Sequence, residues 1–356
     1  MNRPTRGGSL RRLAGAARAR TRTGPTEQRP WVVAEDDPPA PETLDGFRLF
    51  AVAGTWFEGD VVAATVRNAL AQGCEAVYLV DNDSPDDTVE QAVGAGARLA
   101  ATYTTDSFDD VARMSLMQQV MDEVSAETGD RHVWWLWLDA DEFPRGPRGL
   151  SIREMLATLD RRFRVVGTRY FNHVPDELPE YVRPFHPIDF QPQCEETRPA
   201  SFCSLGCRKH PLRRWDRDRP RIVSVESFHD ARSDERPLRE PTTRLLTHHF
   251  PFREQAATRA RLDALCGKDG FGTARNDAND ARVWSGVSGI TKRYQNLDAV
   301  YRHEWASVRL RRRPEEARVG MSPVPWHELV GEEDRAVPRW YGARELAAAL
   351  AGAEGA

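Results

Sequence analysis

Apolar and polar positions alternate between two periods along the first two-thirds of the chain. Residues 47–54 (FRLFAVAG) form a nearly continuous apolar run, the pattern of a buried strand. Over 58–72, Val62, Val66 and Leu70 recur on one helical stripe. Residues 76–80 (AVYLV) predict a second strand that runs into Asp81, Asn82 and Asp83. Ser84-Pro85-Asp86-Asp87 then predicts a helix start, with Ser84 as N-cap, Pro85 at the first helical position and acids in the first turn. Residues 98–102 predict a third strand. Residues 107–125 predict a helix opened by Ser107 and Asp110 and striped by Phe108, Val111, Leu116, Val120 and Val124. A fourth strand follows at 133–138. Farther on, 222–228 (IVSVESF) alternates. Residues 253–268 and 290–313 are amphipathic at helical period, and 343–356 is a short Ala-rich helix.

Four strand–helix alternations predict a mostly parallel sheet with helices on both faces. Ligands of such sheets sit outside the carboxyl ends of the strands. Two of the predicted strands end in acids there: 76–80 in Asp81 and Asp83, and 133–138 in Asp139, Asp141 and Glu142. Packing alone gives no reason for the run WWLWL to end in three carboxylates. Acids one residue apart repel unless something positive lies between them. A divalent cation with a preference for oxygen ligands, Mg2+ or Mn2+, meets that need and would neutralise a departing diphosphate.

Composition narrows the class. With 40% apolar and 29% charged residues and a net charge of −4, the 356-residue chain is an ordinary globular protein. No global field draws it to nucleic acid or membrane, and no apolar run of membrane-spanning length occurs. Five cysteines (Cys74, Cys194, Cys203, Cys207, Cys266) are too few for a disulfide scaffold, so a reducing cytoplasm is the expected setting. Residues 1–44 read as a disordered arginine-rich arm and linker. The arm is either a solvated tail or a tether to anionic lipid or another polyanion. Residues 45–250 read as the catalytic domain and 251–356 as a helical extension.

The segments VDNDSPDDT (80–88) and LDADEF (138–143) are similar to motifs of family 2-type glycosyltransferases with the GT-A fold, a Rossmann-like α/β architecture. LLTHHFPFREQ (245–255), CRKHPLRRW (207–215) and VESFHDA (225–231) resemble later segments of one branch of these enzymes. The likeness spans about residues 47–265. It implies a metal-dependent, inverting transfer of a sugar from a nucleotide-sugar, a UDP-sugar, to an acceptor hydroxyl on a glycan, a lipid-linked molecule or a small molecule. It also implies that Asp81, Asp83 and Asp139 contact the nucleotide, and that Asp139, Asp141 and His249, or its neighbour His248, hold Mn2+ or Mg2+; Lys209 joins the nucleotide site as a member of a basic cluster. Trp56-Phe57-Glu58 stands where the family has Asn-Glu, Asp83 where it has Gly, and Pro85 where it has Thr.

Asp230 is the candidate general base, needing reach to the acceptor hydroxyl and a suitable pKa; the alternative is a turn with a satisfied His229. Arg208, Lys209, Arg213 and Arg214 form a basic cluster, read either as a diphosphate or acceptor site or as a solvated strand edge. Cys194, Cys203, Cys207 and His210 match no zinc-finger spacing and read as core cysteines. The Pro- and aromatic-rich segment 174–204 reads as a loop over the site. Trp134, Trp135 and Trp137 read as core, with Trp56 and Trp215 as candidates to stack on a sugar. Three rival functions stand beside the transferase: a sugar-phosphate nucleotidyltransferase, which would want a Gly-rich loop where AVAGTWFEGD stands; a non-catalytic nucleotide-sugar-binding protein; and a metal hydrolase built on His229-Asp230 and His248-His249.

Overall fold

The computed structural model describes residues 32–105, 110–175, 187–196, 209–225, 230–235, 237–267, 297–307 and 322–335. In chain order the elements are β1 (Val32–Glu35), β2 (Arg48–Thr55), α1 (Val62–Ala71), β3 (Val77–Asp81), α2 (Thr88–Gly94), β4 (Arg98–Thr102), α3 (Asp110–Thr128), β5 (His132–Asp139), β6 (Glu142–Arg145) and α4 (Ile152–Thr158). They continue with β7 (Val165–Val166), β8 (Thr168–His173), β9 (Gln193–Glu196), β10 (Leu212–Asp216), β11 (Val223–Val225), β12 (Asp230–Arg232), β13 (Leu238–Pro241), β14 (Leu245–His249), α5 (Gln255–Gly267) and β15 (Val324–Pro325).

The main sheet has six strands in the order β4-β3-β2-β5-β10-β7. β4, β3, β2 and β5 are parallel, and β10 runs antiparallel to both β5 and β7. The four predicted strands are these four, and the mixed α/β class is as expected. β5 shows why its sequence is apolar throughout. Successive side chains of a strand point to opposite faces, and both faces are covered. Trp134, Leu136 and Leu138 pack with Leu49, Ala51, Ala53 and the α1 and α4 residues Val62, Val66, Ile152 and Leu156. Val133, Trp135 and Trp137 pack with Phe50, Val52 and the α3 residues Met114, Met117 and Met121.

A second sheet, in the order β15-β9-β8-β14-β6, stands beside the first. The chain passes from one sheet to the other between β5 and β6, across Ala140 and Asp141. Two buried polar residues of α1 hold this crossing. Thr65 donates to the Ala140 carbonyl, and Asn68 Nδ2 donates to the Pro144 carbonyl at 3.0 Å.

Several expectations are corrected. The helix predicted to start at Pro85, capped by Ser84, starts at Thr88, and its N-cap residue Asp87 makes no side-chain cap bond. Ser84 Oγ instead donates to Asp81 Oδ1 and accepts from the Phe57 amide. The stripe drawn for α3 holds at Val120, Leu116 and Val124, which pack on this core beside Met114, Met117 and Met121, but not at Val111, which is 76% exposed. The single long helix expected over 290–313 does not form. Among its described residues, 297–301 are helical, His303 takes a left-handed φ of 54°, and a separate 3-10 turn follows at Trp305–Ser307. Trp215 is buried in the core beside Trp135, so it cannot stack on a sugar. Cys74 and Cys194 are free and buried, as expected; Ser107, Phe108, Cys203, Cys207, Arg208, His229 and the stretch 343–356 lie outside the described residues.

Candidate active site

The acids do stand at the carboxyl ends of parallel strands, β3 and β5, which flank β2 on either side. Register places Thr55 beside Asp81 and Gly54 beside Asp139. Asp81 is buried, and its carboxylate is taken up within the protein. It accepts from Thr55 Oγ1 at 2.9 Å, Ser84 N at 2.8 Å and Ser84 Oγ at 2.6 Å. Asp81 therefore braces the loop that follows β3. Asp83 in that loop has a φ of 50°, the left-handed region that glycine enters without cost. Asp83 thus holds a backbone conformation that a glycine would enter freely.

Asp139 faces two cations. Arg113 Nη1 donates to Asp139 Oδ1 at 2.6 Å and Lys209 Nζ lies 3.3 Å from Oδ2. Gly54 makes room for the first. A Cβ at Gly54 would stand 2.9 Å from Arg113 Cδ and 3.0 Å from Met117 Sδ. Burial alone would push the Asp139 carboxyl up, but Arg113 and Lys209 outweigh it and hold the group well below the usual carboxylate range.

Among the described residues, Asp141, Glu142 and His249 present donor atoms within 4.8 Å of one another, and all three are buried. Two of the three expected metal ligands, Asp141 and His249, therefore meet, whereas Asp139 turns to Arg113 and Lys209. The second sheet makes the meeting. β14 pairs antiparallel with β6, setting His249 opposite Glu142, and parallel with β8, setting it beside Asn172. His249 Nδ1 lies 2.7 Å from Asn172 Oδ1. A carbonyl oxygen can only accept, so Nδ1 carries a proton, and in the neutral ring the Nε2 lone pair points toward Asp141 Oδ2, 3.4 Å away. Two electron-rich atoms facing each other in a buried site suit a shared divalent cation, and the hydrogen bond to Asn172 fixes the imidazole in the orientation that ligation needs.

His248 points to the other face of β14. Its Nδ1 is 2.8 Å from His173 Nε2, and its Nε2 accepts from Arg145 Nε at 3.3 Å. The two histidines of the pair therefore do not converge on one site.

Arg253 lies behind Asp141. Its guanidinium donates to Glu58 Oε2 at 2.5 Å and to Asp60 at 2.5 and 2.9 Å, and passes 3.8 Å from Asp141 Oδ2. Arg261 also pairs with Glu58 and lies 3.9 Å from Asp141 Oδ2. Burial pushes the Glu58 carboxyl up, opposed by Arg261 and Arg253. Burial likewise raises Glu142, to about 7, against the pull of Lys209. Glu58, Asp60, Arg113, Tyr170, Asn172 and Arg253 belong to this site and were not singled out from the sequence. The quoted segments held three of them in view: Glu58 and Asp60 in AVAGTWFEGD, and Arg253 in LLTHHFPFREQ.

Arg213 and Arg214 fit neither reading of the basic cluster. Both are buried within β10, Arg213 over the Trp137 ring and Arg214 paired with Asp216 at 2.8 Å. Asp230 opens β12, paired with β11, and its side chain lies outside the described residues.

No protein-family profile matches the chain, and no curated protein sequence matches it. Solved structures give weak likenesses. A crystal structure of a mycobacterial protein shares 15% identity over 36% of this chain and 42% of its own, with a TM-score of 0.25. Glucosyl-3-phosphoglycerate synthase from Mycobacterium tuberculosis, in complex with Mn2+, uridine diphosphate and glucosyl-3-phosphoglycerate, shares 16% over 35% of this chain and 44% of its own, with a TM-score of 0.24. The same synthase with Mg2+ and uridine diphosphate shares 13% over 63% and 80%, with a TM-score of 0.30. The match spans less than half the length of the first two structures. Likenesses of this degree decide nothing about this chain's activity.

Proposed function

We propose that the chain is a metal-dependent glycosyltransferase that moves a sugar from a nucleotide-sugar, a UDP-sugar, to an acceptor hydroxyl with inversion. The observation that carries this reading is the meeting of Asp141 with His249 at the mouth of a parallel sheet, beside an Asp139 held by Arg113 and Lys209. Asp141 and His249 would hold Mg2+ or Mn2+, which when bound would neutralise charge on the leaving diphosphate. Asn172 keeps the His249 Nε2 lone pair turned toward that ion. Asp139, ionised by its two cations, is an acceptor for nucleotide hydroxyls. Asp81 shapes the same pocket through the loop it braces, and Lys209 offers a compact positive charge to the phosphates. A separate observation weakens the hydrolase reading: His248 and His249 diverge from one strand, so no paired-histidine centre forms from them.

The test is isothermal titration of UDP, GDP and dTDP, with and without Mn2+, on the wild type and on Asp141→Asn. One nucleotide is expected to bind in a metal-dependent way and to lose at least tenfold in affinity in the variant. No binding of any of the three under either condition would sink the reading.

A further inference from the structure

Glu142 stands in two constellations at once. One is the group with Asp141 and His249. The other surrounds Lys209. Tyr170 Oη donates to Glu142 Oε1 at 2.6 Å, and the Lys209 ammonium contacts the same oxygen. That ammonium also lies 3.3 Å from Asp139 Oδ2 and 5.0 Å from the centre of the Tyr170 ring. The Lys209 side chain is 9% exposed and that of Glu142 only 3%. Three groups, from β5, β6 and β8, thus converge on one ammonium carried by the segment before β10.

An ammonium this deeply placed is retained only where fixed anionic and aromatic partners replace its water. Both contacts fall on Glu142 Oε1, so its lone pairs are already taken by the phenol and the ammonium. A divalent ion on Glu142 would also be repelled by Lys209 at close range. The ammonium has three donors, and it can serve carboxylates and a phosphate oxygen together. Asp139, 24% exposed, marks the side on which Lys209 meets the crevice.

We propose that Glu142 is not a metal ligand but, with Tyr170, the seat of Lys209, and that this clamp aims the ammonium at the diphosphate of the nucleotide-sugar. The inference rests on the donor reading above and adds to it a division of labour. Asp141 and His249 take the metal, while Glu142 and Tyr170 are positioning residues that act through Lys209.

Mn2+ binding is followed by electron paramagnetic resonance, and UDP and UMP binding by isothermal titration at saturating Mn2+. The proteins are the wild type, Glu142→Gln, Lys209→Met, Tyr170→Phe and the double variant of the first two. Mn2+ affinity is expected to stay within about twofold in every variant. UDP affinity falls about tenfold or more in Glu142→Gln and in Lys209→Met, and the double variant adds no more than about twofold, the non-additivity of groups that act as one unit. Tyr170→Phe keeps the ring, loses the hydroxyl and weakens UDP by a smaller factor; it carries the test with Glu142→Gln if Lys209→Met does not fold. UMP affinity changes little. A tenfold loss of Mn2+ affinity in Glu142→Gln, equal losses of UDP and UMP, or additive losses in the double variant would overturn the clamp. A wild type that binds UDP while the variants bind it equally well overturns the clamp alone. A wild type that binds no nucleoside diphosphate with Mn2+ overturns the donor reading as well.

Discussion

Arg253 is 1% exposed at its side chain and answers three carboxylates: Glu58, Asp60 and Asp141. Removing one member of a buried ion network strands the rest without water or partner. Arg253→Met is therefore expected to cost about 3–5 kcal/mol of folding stability, far more than its lost packing. Urea denaturation of the variant beside the wild type measures it, and a loss under about 1 kcal/mol would show that the network contributes little. At this scale residue types and spacing were legible in the sequence, but side-chain direction was not. His248 and His249 are equivalent as text. Strand alternation sends one toward Asp141 and the other toward His173, and only the register of β14 against β6 says which. Asp139 and Asp141 are likewise equivalent in the motif. Arg113, reaching over Gly54 from α3, separates them.

Elements were more legible, because strand and helix periodicity are local. The parallel strands were readable as four short apolar runs, and α1 as a stripe of valines. Boundaries failed where a side chain found a better partner than the helix end. Ser84 has the residue type of an N-cap, yet its hydroxyl goes to Asp81 and the helix begins four residues later. Ser151 does cap. It accepts from the Glu154 amide while the Glu154 carboxylate accepts from the Ser151 amide, a complete capping box on α4. Ser151→Ala is expected to destabilise the protein by about 1 kcal/mol. Ser84→Ala should instead disturb the Asp81 loop and leave the start of α2 in place. The urea midpoint reads the first; amide hydrogen exchange over residues 88–94 reads the second.

At the scale of the molecule, one buried chain of hydrogen bonds ties the second sheet to the segments around it. Arg145 on β6 donates to His248 on β14, His248 to His173 on β8, and His173 Nδ1 to the Gln191 carbonyl at 2.6 Å. Arg145 also donates to the Asp334 carbonyl of the short helix Glu332–Arg335. The Gln191 carbonyl can only accept, so the chain has one direction and both histidines are neutral. Burial pushes His173 down to about 3, from an ordinary value of 6.5. Between those values the unfolded state binds a proton that the folded state refuses. The contribution of His173 to stability is thus complete above about pH 6.5 and is lost as pH falls toward 3. A His173→Gln variant is expected to lose less stability than the wild type between about pH 7 and about pH 4.5. Equal losses in the two proteins, read from urea midpoints at both pH values, would show that His173 does not carry the effect.

The sequence by itself determined the alternating α/β class, the central strands, the burial of Trp134, Trp135 and Trp137, and the placement of acids at two strand ends. Each of these follows from local periodicity and from the rule that carboxyl ends of parallel strands face the ligand. Among the described residues no helix is long and apolar enough to cross a membrane. What only the tertiary structure decided was how the acids are partnered. Asp141 and Glu142 meet His249 because β6 and β14 pair across 101 to 107 positions of chain, from Arg145 with Leu246 to Glu142 with His249. Asp139 meets Lys209 some 70 positions later. Arg253 reaches Glu58 and Asp60 across nearly 200. Contacts between residues so far apart in the chain are fixed by how sheets and helices pack, and no spacing in the sequence carries them.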